Sequence, residues 1–420
     1  MKKSFWYLIA LLILALLVVL IISIKSYKEK TATKYVLEGI TQFEAKDFTS
    51  AQASFEKAIK LNKQLYEAYL NLSKTQLAQE NTNEAMAVLQ QMFLLFPDKA
   101  EAFSIEGQCY LKLQKLDSSL ASFNKAIELD SMLAEAFYYR GAVKASMGKL
   151  DESLLDFKKA QELDQNKVEY YESSLSIRTE LADYKGIVAD YNKIIELDPS
   201  NTEAFYQRGY FKLNLNDFEG ALNDFDNALK LDNKLAKAHY YKGLTYAKNG
   251  RYAEAVASFR ETIQLEYKLH EAYFNLGLAL LSAQKPTEAK GAFRSSIQAN
   301  PQGERALQAN LNLGVVEMMN NNFAGAIKHY TIMLEAYPGN PEALFNRAYA
   351  YGNSKQYDKA INDLSQCLNT NYKTADVYYL RAAYYISATN YDLGCLDADK
   401  ALKLGHPKAQ ELLTMYCSKQ

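Results

Sequence analysis

Residues 202–235 read TEAFYQRGYFKLNLNDFEGALNDFDNALKLDNKL. Phe205 and Gly209 stand four apart, and Phe218, Ala221, Phe225 and Ala228 follow at helical spacing. The same skeleton recurs on both sides. Aligned on the small or aromatic landmarks, units start at positions 32, 66, 100, 134, 168, 202, 236 and 270, at one constant interval. The next start is Leu307, three positions late, and the series resumes at Pro341 and Ala375. A fixed period of this length is the mark of a repeat array, in which each unit packs only on its neighbours.

Within the eleven units the pattern is consistent. Position 4 is usually aromatic, as at Tyr35, Tyr69, Phe103, Phe137, Tyr171, Phe205 and Tyr273. Position 8 is often Gly: Gly39, Gly107, Gly141, Gly209, Gly243, Gly277 and Gly314. Position 20 is small, position 24 aromatic and position 27 small again, as in Ala51, Phe55 and Ala58. Pro97, Pro199, Pro301 and Pro338 close units, where they stop a helix. Gly in a helix costs about 1 kcal/mol against Ala, so its recurrence points to close packing. The expected unit is a helical hairpin. Small residues at 8, 20 and 27 let its backbones approach, and aromatics at 4 and 24 fill the space to the next hairpin. The extra residues before Leu307 fall in Pro301–Ala306, read as an irregular loop.

These motifs resemble the tetratricopeptide repeat family over about residues 32–407. The resemblance implies an all-α, right-handed superhelical solenoid of about eleven helix hairpins, with first helices lining a concave groove. Departures are local: Leu175 for Gly and Ile187 for Ala in the fifth unit, Ser73 and Met92 in the second, Pro286 in the eighth. The last residues, 407–420, carry Ala409, Leu412, Leu413 and Tyr416 and read as a capping helix over the terminal apolar face.

Ahead of the array, residues 4–24 carry no charge. As a helix they would span about 31 Å, enough to cross a bilayer core. Phe5, Trp6 and Tyr7 at one end and Tyr27 at the other suit the two interfaces. A cleaved signal peptide is the rival, but Ile21-Ile22-Ser23-Ile24-Lys25 offers no small-residue cleavage pattern. The expected layout is a tail at 1–3, a transmembrane helix at 4–24, a linker at 25–31 and an array at 32–406. Lysine counting, with Lys25, Lys28, Lys30 and Lys34 after the span, favours a cytoplasmic array. The short tail before a signal-like helix favours export, and the extracytoplasmic side is the expectation adopted.

Composition narrows the function. Net charge is −1, and the first thirty residues hold five Lys and one Glu, leaving the rest mildly acidic. A nucleic-acid binder needs a concentrated basic face. The cysteines, Cys109, Cys367, Cys395 and Cys417, form no CxxC, so no zinc site is implied. Four small buried residues is one reading. The other is that Cys395 and Cys417, in the last two predicted helices, touch and form a disulfide, which would imply an oxidising compartment. His239, His270, His329 and His406 lie in different units without ligand or catalytic spacing. No phosphate loop, nucleophile elbow, zinc-protease or dinucleotide motif occurs. The sequence implies no enzyme, cofactor, metal or small-molecule substrate.

Two constellations remain. Position 7 is Arg in four units, Arg140, Arg208, Arg347 and Arg381, and position 23 of the same units is Asp: Asp156, Asp224, Asp363 and Asp397. Sixteen positions apart on facing helices, they predict intra-hairpin ion pairs; an acidic-ligand site is the alternative. Position 6, expected to face the groove, is Asn71, Asn275, Asn312 and Asn346, with Gln207 as a longer analogue. An amide offers the donor and acceptor that an extended peptide backbone needs, and asparagine ladders serve this purpose in some members of the family. Tyr138, Tyr139, Tyr206, Tyr210, Tyr240 and Tyr241 add rigid amphipathic surface for peptide side chains, or pack between helices. The family's chaperone-tail clamp wants Lys at position 5 and Asn at position 9. Position 5 is Val36, Leu70, Ser104, Tyr138 and Glu172 in the first five units, and position 9 holds no Asn. The expected function is a membrane-tethered scaffold binding a protein or extended peptide in its groove. The alternative is a non-catalytic regulatory or targeting subunit of a membrane-associated enzyme, secretion or envelope-assembly complex.

Overall fold

The computed structural model describes residues 2–417, with side chains from Phe5 onward, and every regular element among them is helical. Met1 of the expected tail and positions 418–420 of the expected cap lie outside the described residues. The chain divides into two compact units, with the boundary between Pro199 and Ser200. The first holds α1 (Lys2–Glu44), α2 (Phe48–Leu61), α3 (Tyr66–Ala78), α4 (Thr82–Leu95), α5 (Ala100–Lys112), α6 (Leu116–Leu129), α7 (Ala134–Ser146), α8 (Leu150–Leu163), α9 (Val168–Glu180) and α10 (Tyr184–Leu197). The second holds α11 (Thr202–Asn214), α12 (Phe218–Leu231), α13 (Ala236–Lys248), α14 (Tyr252–Gln264), α15 (Leu269–Ser282), α16 (Pro286–Ala299), α17 (Glu304–Met319), α18 (Phe323–Ala336), α19 (Pro341–Asn353), α20 (Tyr357–Cys367), α21 (Thr374–Ser387), α22 (Tyr391–Lys403) and α23 (Ala409–Leu412). Within each unit, consecutive helices pair as antiparallel hairpins and stack on the next pair.

The hairpin turn has one chemistry throughout. Position 15 of all eleven hairpins is left-handed: Lys46, Glu80, Gln114, Gly148, Ala182, Asn216, Gly250, Gln284, Asn321, Lys355 and Thr389. The N–H of the following residue reaches back five positions, as from Asp47 to the Gln42 carbonyl at 2.9 Å and from Asp183 to that of Arg178 at 2.8 Å. This closure satisfies the carbonyls left over at the end of the first helix. The second helix then starts on a cap where the sequence supplies one: Asp47, Asp183 and Asp217 each accept from the N–H three positions on.

The aromatic at position 24 sits within its own hairpin rather than between hairpins. A Cβ built on Gly209 would lie 2.9 Å from Phe225 Cε1, and one on Gly107 would lie 2.8 Å from the Phe123 ring. The glycine is therefore required by the ring laid flat on its backbone. Phe55, Phe123, Phe225, Phe259 and Phe293 are fully buried by this arrangement.

Three expectations are corrected. Residues 25–31 are no linker: α1 runs unbroken from the apolar segment into the first hairpin. No Gly or Pro interrupts it there, and the Thr31 and Thr33 hydroxyls donate to the carbonyls of Tyr27 and Glu29 at 2.8 and 3.1 Å. Its 43 residues make a rod about 65 Å long. Second, the residues inserted before Leu307 are not all loop. Glu304, Arg305 and Ala306 add one turn to the start of α17, because three residues nearly complete a turn and Ala306 is buried. Third, two other joints are irregular. At 266–268 and 371–373, Glu266, Lys268, Asn371 and Lys373 are left-handed, each joint carrying the pair Tyr-Lys. Lys268 lies over the rings of Tyr240, Tyr241 and Tyr267, and Lys373 over those of Phe345 and Tyr372.

At the C-terminal end, α23 buries Ala409, and its continuation widens into a π-turn over Leu413–Cys417. Cys395 on α22 is disulfide-bonded to Cys417, with Cα atoms 5.8 Å apart, while Cys109 and Cys367 are buried free thiols. At the other end, the apolar part of α1 is unburied: Leu16 and Ile21 are 61 % and 64 % exposed. Among the described residues this is the one helix long and apolar enough to cross a membrane, a property shared by anchors and signal sequences.

Candidate functional site

The four arginine–aspartate pairs form as bidentate clamps. Arg208 Nε and Nη2 donate to Asp224 at 2.9 and 2.6 Å; Arg140 reaches Asp156 at 2.9 and 2.7 Å. Arg347 reaches Asp363 at 2.8 and 2.9 Å, and Arg381 reaches Asp397 at 2.6 and 3.0 Å. The carboxylates are buried, so the geometry is that of strong, sheltered pairs. In three of them the other arm, Nη1, extends to the preceding hairpin, at Asn124, Thr331 and Ser365. Each of these three arginines thus ties two hairpins together. These guanidinium donors are engaged on protein atoms.

Sequence reasoning missed a second cation row at position 11. Lys144 and Lys212 reach Asp156 and Asp224 at 2.8 Å. In the fifth unit, which has Ser174 at position 7, Arg178 takes over and donates to Asp190 at 2.7 Å. The signal was present: Asp190 stands at position 23 without an arginine sixteen positions earlier. In the third unit the polarity reverses. Ser122 at position 23 donates to Glu106 at 2.7 Å, and burial, offset by that bond, pushes the Glu106 carboxyl above its ordinary value of 4.5.

The tyrosines divide by position. Tyr206 and Tyr240 at position 5, expected to line the groove, are only 8 % and 7 % exposed. Tyr138, also at position 5, packs its ring 4.8 Å from Tyr170, with its hydroxyl 3.1 Å from Ser173 Oγ. A position-5 side chain leans toward the following hairpin, and the ring fills that joint. Tyr241 and Tyr210 stay half-buried and meet edge to face at 5.1 Å. Tyr139 opens onto a concavity; burial, with Glu135 next to it, pushes its hydroxyl up to about 12.

The amides are also partly engaged. Asn71 and Asn312 donate to the carbonyls of Glu67 and Gln308 in their own helices at 2.8 and 2.9 Å. Asn275 donates to the Tyr240 hydroxyl at 3.1 Å, and Gln207 to Glu203 at 2.6 Å. Asn346 is half-buried on α19. Each bonded amide retains one N–H and its carbonyl lone pairs for a ligand.

A concavity lies in the first unit, across the first four hairpins. A cleft of about 530 Å³ is lined by Phe43, Lys74, Leu77, Ala78, Gln108, Leu111, Lys112, Glu135 and Tyr139. The helical period builds it. Lys74, Leu77 and Ala78 on α3, and Gln108, Leu111 and Lys112 on α5, each share a face at i, i+3, i+4. Glu135 and Tyr139 face them from α7. The floor is apolar and the rim charged. Lys112 Nζ donates to the Leu77 carbonyl at 3.3 Å, and Gln108 to Glu135 at 3.3 Å. Lys74 has no ion-pair partner among the described residues. Beside it, sharing Glu135 and Tyr139, a second cleft of about 460 Å³ is lined by Tyr138, Asp164, Lys167, Glu169 and Tyr170. In the second unit a smaller hollow of about 270 Å³ includes Asn275 with Leu244, Lys248 and Leu278.

Stacked helical hairpins at a constant interval, most with an aromatic ring seated on a glycine, define a repeat scaffold. Family models for the tetratricopeptide repeat match residues 42–109, 317–384, 206–266 and 274–341, and a TPR repeat model matches residues 107–148. The chain belongs to the tetratricopeptide repeat family. A comparison with curated proteins gives no match. Among solved structures, the chain is similar to a tetratricopeptide repeat protein from Parabacteroides merdae at 19 % identity, covering 60 % of this chain and 99 % of that one, with a TM-score of 0.44. It is similar to the C-terminal part of a TPR repeat-containing protein from Cytophaga hutchinsonii at 17 % identity, covering 58 % and 98 %, with a TM-score of 0.48. A third is the Cut9–Hcn1 hetero-tetramer of the APC/C, at 16 % identity, covering 94 % and 98 %, with a TM-score of 0.41.

Proposed function

We propose that this chain is a membrane-tethered scaffold that holds a protein partner, through an extended segment, in the groove of its first hairpins. The observation that carries this reading is the cleft between α3, α5 and α7. It combines an apolar floor, a cation without a partner at Lys74, and a carboxylate at Glu135. Such a surface fits an apolar side chain flanked by an acidic group. Arg140, clamped on Asp156 and bonded to Asn124 of the third hairpin, ties the last two of these hairpins together before binding, which limits the order lost in the receptor. In the first unit the half-exposed Asn71 and Tyr139 share this role; in the second, Asn275, Asn312, Asn346, Tyr210 and Tyr241 offer a like surface of their own.

The tether is α1. Its unburied apolar segment serves as an uncleaved anchor, continuous with the first hairpin. The Cys395–Cys417 disulfide supports an oxidising, extracytoplasmic setting for the array. Lys74→Glu combined with Lys112→Glu reverses the cleft's charge at one half-buried and one exposed position. Affinity purification of the full chain from membranes is expected to lose its main partner in that variant, with helicity unchanged. Retention of the same partner at the same yield would overturn the groove assignment. One enzyme recovered in fixed ratio with the chain would instead favour the subunit reading.

A further inference from the structure

The apolar part of α1 ends at Ile24, and the first hairpin folds back so that the α2–α3 loop returns to that level. Leu61 at the end of α2 and Asn62 and Lys63 of this loop face Ile21, Ile24, Lys25, Lys28 and Glu29 across a cleft of about 360 Å³. One wall is apolar: Ile21 and Ile24 are 64 % and 47 % exposed. The other is cationic. Lys25, Lys28 and Lys63 have no ion pair among the described residues, and Glu29 is the single acid lining the cleft. Lysines far apart in sequence thus converge where an apolar rod ends.

We propose that this cleft binds an anionic phospholipid of the leaflet next to the array, its phosphate among Lys25, Lys28 and Lys63 and its chain along Ile21 and Ile24. The proposal rests on the reading of α1 as a membrane anchor. Basic groups at a bilayer surface contribute about 1 kcal/mol each toward anionic lipid. Lysines at the end of a span alone would leave the array free to roll about α1. Lys63 supplies a second point of contact from the array itself, so the lipid site fixes which side of the first hairpin faces the bilayer.

The test uses the full chain reconstituted in phosphatidylcholine vesicles carrying spin-labelled phosphatidylglycerol or spin-labelled phosphatidylcholine. Electron paramagnetic resonance reads the fraction of each label immobilised by the protein. The wild type is expected to favour phosphatidylglycerol several-fold. Lys63→Gln, an exposed loop change, is expected to reduce that ratio by up to about fivefold, and the triple change Lys25→Gln/Lys28→Gln/Lys63→Gln to bring it to one. Equal immobilisation of both labels by wild type, or an unchanged ratio in Lys63→Gln, overturns the lipid site while leaving the anchor standing. A chain that does not float with the vesicles overturns both.

Discussion

Arg347→Ala is expected to cost more stability than Arg208→Ala, although both arginines hold position 7 and both clamp an aspartate. Asp363 is 2 % exposed and, among the described residues, its one cationic partner is Arg347, at 2.8 and 2.9 Å. Asp224 is wholly buried but accepts from Arg208 and also from Lys212 Nζ at 2.8 Å. Removing one partner of a buried pair costs about 3–5 kcal/mol, because the other charge is stranded. Arg347→Ala should show that cost in full. In Arg208→Ala the lysine remains 2.8 Å from the carboxylate and keeps that charge paired, leaving a cost of about 1–3 kcal/mol. Loss of ring contact nearly cancels, since Arg208 lies 5.6 Å over Phe205 and Arg347 5.7 Å over Tyr351. Hydrogen exchange of the full chain reads the local opening of α11–α12 and α19–α20 separately. Adding Lys212→Ala to Arg208→Ala should bring its cost level with that of Arg347→Ala. Equal costs for the two single variants, or no added cost from Lys212→Ala, would refute the reasoning.

Other perturbations separate backbone, charge and cross-link. Ala182 holds the left-handed turn position at φ 54° on an exposed loop, so Ala182→Gly should raise stability by about 0.5–1 kcal/mol; the reverse change Gly148→Ala meets nothing within 4 Å and should lower it by about 1 kcal/mol, both read by denaturant midpoint. Glu106 has a raised folded pKa, so the folded state holds more protons than the unfolded state as pH rises past 4.5, and stability falls across that window. Glu106→Gln should therefore stabilise the third hairpin at pH 7 and do little below about pH 4, where the wild-type carboxyl is protonated in both states. Reduction of Cys395–Cys417 should release the π-turn from α22, raising hydrogen exchange over α22 and α23 while α3–α8 stay unchanged.

The sequence made the hairpin legible because its rule is local and repeated: the glycine and ring that stand sixteen apart at Gly209 and Phe225 recur in most units, and a ring on a helix backbone leaves no room for a side chain. Arg208–Asp224 was readable for the same reason. The turn was less so: Gly148, Asn216, Gly250 and Asn321 suit a positive φ at position 15, but Lys46, Glu80, Gln114 and Ala182 stand at the same position and nothing in their side chains favours it. Tyr206 and Tyr240 misled because a fixed period shows which positions recur, and the lean of a side chain toward the next hairpin is set by the packing angle. Arg178 was overlooked through the search for a cation at position 7 only. Of the cleft's lining only Tyr139 was among the amide and tyrosine candidates; Lys74, Leu77, Gln108 and Leu111 lay outside them, although their i, i+3, i+4 spacing was visible. Continuity of α1 was also visible: residues 25–34 contain neither Gly nor Pro.

The central claim is that a partner lies in the cleft of the first four hairpins while α1 holds the chain in a membrane. Photo-crosslinking in intact membranes tests both at once, with a reactive amino acid in place of Leu111 on the cleft floor or of Leu155, which is 68 % exposed on a second helix. The account predicts a discrete crosslinked protein from position 111, absent from position 155 and abolished by Lys74→Glu, in the membrane fraction. Equal labelling from both positions, or crosslinks from 155 alone, would contradict it.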